Sequence, residues 1–326
     1  MIRSRTVSLP GLLALTSFLC TGLLGAGAQD LTTLRIMAPA TAGGGWDNTA
    51  RAIADTLKKE GLRDKVEVYN VPGKAGTVGL ADFVKLRGQP NQLMMTGFVM
   101  VAGIPVNGVD YDLSADVTPI ARLTTDYEVF VVPASSPYRT VEDLIARFRS
   151  SPGSVRFGGS SAGGSGQIAV SRLAQELGVP TAQVRYIPSA GGAQATKAML
   201  GGELDVVSAG YSEVDDLIRS GQVRGLAISA PEPVEGINLP TFVDKGLDVD
   251  VSNWRGIVAP TGLTEAARTQ LILMFTRMSR TATWQQQLAQ NKWSPYFASG
   301  DNFTKFVRAQ RLYVNKLLKE LNIKTN

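Results

Sequence analysis

An α/β chain of two lobes is what this sequence predicts, and three observations carry that expectation. Its 326 residues exceed the roughly 100 to 200 of one ordinary domain. From Thr33 onward, short β-rich runs alternate with segments of helical periodicity. Most of those runs are continuously apolar, the pattern of strands covered on both faces, so parallel and doubly covered sheets are expected. With 44% hydrophobic and 19% charged residues, the composition suits a packed core and excludes a disordered or fibrous chain.

Taken in order, the N-terminus comes first. Arg3 and Arg5 open it, an apolar stretch follows over residues 7–24, and Ala26, Gly27 and Ala28 supply small residues where a signal peptidase cuts. Residues 1–28 are therefore expected to be a cleaved signal peptide. Pro10, Gly11 and Gly22 interrupt the stretch and argue against a membrane anchor. Cys20 has no second cysteine to pair with, and the bulk of Phe18 and Leu19 before it argues against lipidation. Cleavage leaves 31 Lys and Arg against 28 Asp and Glu. The longest basic run is Lys58-Lys59, so no nucleic-acid partner is expected.

The mature chain opens as β-α-β: a strand over 34–37, a helix with Ala50, Ile53, Ala54 and Leu57 on one stripe, and a strand over 66–69. Further strands are expected over 93–96, 128–132, 154–157, 184–187, 204–208, 225–229 and 256–259. Thr140 and Asp143 form a capping box ahead of the stripe Val141, Leu144, Ile145 and Phe148. Val170, Leu173, Ala174 and Leu177 repeat that pattern, and two C-terminal helices follow around Leu271 and Val314. Residues 128–133 and 251–260 read as two crossings between lobes. The first lobe would hold 29–130 and 251–326, the second 131–250, with a cleft between them.

There is no histidine, which removes the Ser-His-Asp and Cys-His nucleophile systems and His-bearing zinc sites. What remains is three glycine-rich strand-to-helix turns. The first carries Ala42, Gly43, Gly44, Gly45, Trp46 and Asp47; the second Ser160, Ser161, Gly163, Gly164 and Ser165; the third Ser189 and Gly191. Residues without Cβ let a ligand approach the backbone, and the unpaired N–H groups of a helix start favour an anion. Asp47 can cap its own helix instead, and Trp46 can be a lid or simply pack on the loop. Residues 159–163 match G-x-S-x-G, but without histidine the serine lacks a base. No Walker or dinucleotide fingerprint is present, and residues 248–253 lack the glycine and glutamate of a calcium loop. Tyr211, Ser212 and Glu213, at the end of a strand, are candidates for reading the rest of a ligand.

These loops, with Asn70-Val71-Pro72-Gly73-Lys74-Ala75-Gly76-Thr77-Val78-Gly79, Leu200-Gly201-Gly202-Glu203-Leu204-Asp205, Ser208-Ala209-Gly210-Tyr211-Ser212-Glu213 and Asn253-Trp254-Arg255-Gly256, resemble the solute receptors of tripartite tricarboxylate transporters, the Bug family and its TctC-type branch. The resemblance implies a class II periplasmic-binding-protein fold, two α/β lobes joined by two crossing strands and closing on a small carboxylate. It also implies that backbone amides and waters of the first two loops hold the carboxylate, here residues 43–47 and 159–165. At Ser189-Ala190-Gly191 the chain departs from the Tyr-Lys-Gly type of many relatives. The resulting expectation is a periplasmic, monomeric receptor serving a membrane permease, with no catalytic residue, metal or cofactor. The other readings are an isomerase or lyase using Glu213 or Asp47 as base, and a ligand-dependent partner of a sensor protein.

Overall fold

A computed structural model describes Met1 and residues 33–325. Apart from Met1, the expected signal peptide and Cys20 lie outside the described residues. Strand β1 (Thr33–Ala38), helix α1 (Gly45–Lys59) and strand β2 (Lys65–Asn70) form the expected opening unit. β1 and β2 run parallel, with Thr33 beside Lys65 and Ala38 beside Asn70. The α1 stripe of Ala50, Ile53, Ala54 and Leu57 is buried, as its spacing requires. Then come α2 (Thr77–Phe83), β3 (Gln92–Gly97), α3 (Phe98–Val106) and β4 (Val117–Pro133). The second half begins with α4 (Val141–Ser150), whose Thr140/Asp143 capping box is present. It continues with β5 (Arg156–Gly159), α5 (Ser165–Glu176), β6 (Arg185–Pro188), α6 (Gly192–Leu200), β7 (Val206–Gly210), α7 (Tyr211–Arg219) and β8 (Val223–Ile228). The chain closes with β9 (Ser252–Pro260), α8 (Glu265–Met278), α9 (Ala282–Gln290), β10 (Ser294–Ser299) and α10 (Gly300–Glu320).

The strands follow the order β2-β1-β3-β9-β4-β7-β5-β6, with β8 and β10 also paired to β4. β4 is the member common to both halves. From Val117 to Tyr127 it pairs antiparallel with β9, and from Glu128 it pairs with β7 and β8. The returning chain runs beside that change of partner: Ser229 N–H donates to Glu128 O at 2.8 Å and Val251 N–H to Ser229 O at 3.1 Å. Two crossings thus lie side by side at one level of the sheet.

The sheet is mixed, which corrects the expectation of wholly parallel sheets. β1–β2, β1–β3, β5–β6 and β5–β7 are parallel, but β9 is antiparallel to both β3 and β4 because it returns from the second half without a crossover helix. Two stretches of strand were not expected. Residues 117–127 carry Thr118, Arg122, Thr124, Thr125 and Asp126, which break the apolar pattern, and β10 begins with Ser294 and Pro295.

Aromatic side chains fill the centre of each half. Phe130 meets Phe157 and Phe242 edge-on, with Phe148 against Phe157. Trp254 packs edge-on against Phe303 and Phe306 in the other half. Edge-to-face pairs add directional energy to area burial. Among the described residues, no helix is long and apolar enough to cross a membrane.

Candidate ligand-binding cleft

The three glycine loops share one local device. After β1, Gly43 takes φ 80°, its N–H donates to Asp47 Oδ2 at 2.9 Å, and Gly44 N–H donates to Thr41 O at 3.2 Å. After β5, Gly163 takes φ 73°, its N–H donates to Gln167 Oε1 at 2.7 Å, and Gly164 N–H donates to Ser161 O at 2.8 Å. After β6, Ala190 N–H donates to Gln194 Oε1 at 3.0 Å. In each case a side chain four residues on closes the turn. The left-handed φ explains glycine at 43 and 163, since an L side chain is strained there.

Asp47 thus clasps its own loop. It also accepts from Asn70 Nδ2 at 2.9 Å and pairs with Arg51 Nη2 at 2.9 Å. Burial pushes its pKa up, but the bonds from Arg51, Gly43 and Asn70 outweigh that and hold it below the usual value.

The loops surround a cavity of about 120 Å³. Gly44, Gly45, Trp46, Ser160, Ser161, Ser165, Gly191 and Glu213 line it; Ala42, Gly43, Asp47, Gly163, Gly164, Ser189, Tyr211 and Ser212 do not. Several of those outside the lining have local roles. Gly43, Gly163 and Gly164 shape their turns, Tyr211 is buried in an apolar cluster with Val207 and Val214, and Ser212 Oγ donates to Asp126 Oδ2 at 2.6 Å. Trp46 is buried, with its indole against Gly76 and Gly97, so it forms wall rather than lid. The 72–76 loop, Glu128, Asn253 and Arg255 also line the cavity. None was expected as a contact: the loop and Arg255 lay in the family-like motifs without a recognisable chemical pattern, and Glu128 read as the start of an apolar strand.

Charge at the floor of the cleft is arranged by long-range pairs. Arg255, on β9, pairs with Asp126 Oδ2 at 2.9 Å, the two side chains being 2% and 0% exposed. Its Nη1 donates to Thr49 Oγ1 at 3.2 Å. Gly45 makes room for this: a Cβ there would lie 2.5 Å from Arg255 Nη2 and 3.0 Å from Glu213 Oε1. Glu213 Oε2 accepts from Ala193 N–H at 3.1 Å, at the start of α6, and the Gly45 N–H at the start of α1 points to the same carboxylate. Burial raises the Glu213 pKa, opposed by the Arg255 guanidinium. Glu128 is fully buried, and its pKa is pushed up to about 7, first by burial; Ser165 and Ser208 lower it while Glu213 and Asp126 add to the rise. Among the described residues, no group of three or more Cys, His, Asp or Glu is placed to hold a metal ion.

This cleft sits in a sequence that matches the TctC family, described as tripartite tricarboxylate transporter family receptor, over residues 49–323. The chain belongs to that receptor family. This TctC receptor is 26% identical over 341 residues to the UPF0065 protein of the gbd 5' region of Cupriavidus necator, covering 97% of its own chain and 98% of that one. It is 25% identical to BugT of Bordetella pertussis, over 70% of its own chain and 71% of BugT. Its fold matches the periplasmic binding protein BugD with a TM-score of 0.82 at 20% identity, covering 90% and 99% of the two chains. MatC of Rhodopseudomonas palustris, solved with bound malate, matches with a TM-score of 0.77 at 19% identity over 88% and 98%. An R. palustris protein solved with adipate matches with a TM-score of 0.82 at 21% identity over 89% and 97%. The fold is thus the two-lobe solute-binding fold, as the sequence led us to expect.

Proposed function

We propose that this chain is an extracytoplasmic receptor that captures a small carboxylate by lobe closure and delivers it to the membrane permease of a tripartite tricarboxylate transporter. The observation that carries the reading is convergence: residues at the starts of α1, α5 and α6, together with Ser160 and Ser161, line one cavity. Helix N-termini are natural seats for anions. Malate and adipate in the relatives described above support the same class. The lobes in this reading are residues 29–130 with 251–326, and residues 131–250. They hinge where β4 changes partners at Tyr127 and Glu128 and where the return chain passes Ser229 and Val251. The receptor works as a monomer in the periplasm.

A thermal-shift screen of small organic acids on the secreted chain tests this. An acid at about 100 times its Kd should add roughly 2.7 kcal/mol of stability. Failure of every acid to raise the melting temperature would count against a carboxylate receptor. The best ligand, followed by NMR in the same samples, should give no new species. Conversion that stops in Glu128→Gln would favour an enzyme instead, because Glu128, with a pKa of about 7, is the cavity group suited to proton transfer.

Export is tested separately. Intact mass of the secreted protein should place its first residue at Gln29 or within a residue or two. A retained Met1 or an acylated Cys20 would contradict it.

A further inference from the structure

A second cavity, of about 100 Å³, lies on the other face of the crossing strand β9. Successive side chains of a strand point to opposite faces. Asn253 and Arg255 line the ligand cleft, whereas Ser252 and Trp254 line this cavity. Helix α5 divides in the same way: its first residue, Ser165, lines the cleft, while Ile168 and Arg172, further along it, line the second cavity. Phe98 from the start of α3 and Phe306 and Tyr313 from α10 add aromatic wall. Elements of both proposed lobes thus meet the return crossing around one space. Tyr313 is exposed, which puts that wall at the surface.

Two polar groups of opposite charge line this largely apolar space. Asp250 Oδ1 and Arg172 Nε are buried atoms with no hydrogen-bond partner among the described residues. Arg172 pairs not with Asp250 but with Asp248, from Nη2 at 3.7 Å, and its Nη1 donates to Gln175 Oε1 at 3.3 Å. That leaves Nε as its free donor. Burial, and then Asp248, push the Asp250 carboxyl above its ordinary pKa, with Arg172 opposing, so a donor placed against it would offset an existing penalty. Buried polar atoms are normally satisfied. Here one donor and one acceptor on the wall of the same cavity are not.

We propose that this hinge cavity is a second binding site, taking a small neutral carboxamide with an apolar body. Its carbonyl accepts from Arg172 Nε and its N–H donates to Asp250 Oδ1. An amide carries an acceptor and donors side by side. A carboxylate would meet the like charge of Asp250 and an alkylammonium that of Arg172, whereas a neutral amide leaves water at a smaller cost than either ion. Trp254, Phe98 and Phe306 suit the apolar body. Because the walls come from both lobes, an occupant favours the arrangement in which they meet, and by linkage it tightens solute binding in the cleft. That coupling, unlike the site itself, rests on the receptor reading above.

Calorimetry on the mature chain tests the site with isobutyramide and benzamide as probes, and with the acids and amines of matching carbon skeleton as controls. At least one amide should bind, and Asp250→Leu and Arg172→Lys should each weaken it roughly tenfold or more. Lysine keeps the charge but has no N–H at the position of Nε. Any acid or amine that binds should change less than about twofold in either variant, because it is then held elsewhere, the acids in the cleft. Circular dichroism checks that the variants fold; should the leucine variant fail to, Arg172→Lys decides alone. Absence of amide binding, amide binding indifferent to the substitutions, or acids or amines losing as much as the amides would each overturn the site. With the amide saturating, the acid selected by the thermal-shift screen should bind roughly threefold or more tighter. An unchanged affinity would overturn the coupling and leave the site standing.

Discussion

Replacing Arg255 by Met is expected to lower the stability of the folded chain by about 3–5 kcal/mol, the usual consequence of removing one partner of a buried ion pair. The Asp126 side chain is 0% exposed, so its charge would stay in the core with Ser212 Oγ and the Tyr127 N–H as its remaining donors among the described residues. Glu213 would lose the guanidinium that opposes the rise in its own pKa. The double variant Asp126→Asn with Arg255→Met should recover about half or more of the loss, because the stranded charge is gone and only packing and hydrogen bonding remain imperfect. Urea unfolding midpoints at neutral pH, with unchanged slopes, measure both. A loss below about 1 kcal/mol in the single variant would mean that water reaches the pair and that its burial has been overstated.

Stability should fall as pH rises through the range set by Glu128. Its folded pKa is about 7 against an ordinary 4.5. Between those values the folded state keeps a proton that the unfolded chain has released, so stability declines from about pH 4.5 and the penalty is complete above pH 7. At about 1.4 kcal/mol per unit of pKa, the penalty is about 3 kcal/mol. Its source is the fully buried setting, to which Glu213 and Asp126 add, only partly relieved by Ser165 and Ser208. Glu128→Gln should therefore be more stable than the parent chain at pH 8 and equal to it near pH 4.5. Unfolding midpoints across that range would contradict this if the two chains ran parallel.

The parts of the fold legible in the sequence are those fixed by local pattern. The α1 stripe at Ala50, Ile53, Ala54 and Leu57 and the Thr140/Asp143 box appear where periodicity and capping put them, because a helix face and a first turn depend on residues three or four apart. The glycine loops were legible as turns for the same reason. The side chains that clasp them, Asp47 and Gln167, lie only four residues from the N–H they accept.

Residues 117–127 of β4 were not legible, since Thr124, Thr125 and Asp126 look like a loop until β9, more than 120 residues away, pairs with them. The charge pattern of the cleft was hidden in the same way: Arg255 and Asp126 are 129 residues apart, and Glu213 and Ala193 are 20 apart. By itself the sequence determined a two-lobed α/β chain with three anion-favouring helix starts, because backbone amides need only a turn and a glycine. Only the tertiary structure decided which of those starts are already filled by the protein's own carboxylates, because the free energy of a buried charge depends on what stands around it in space and not on its neighbours along the chain.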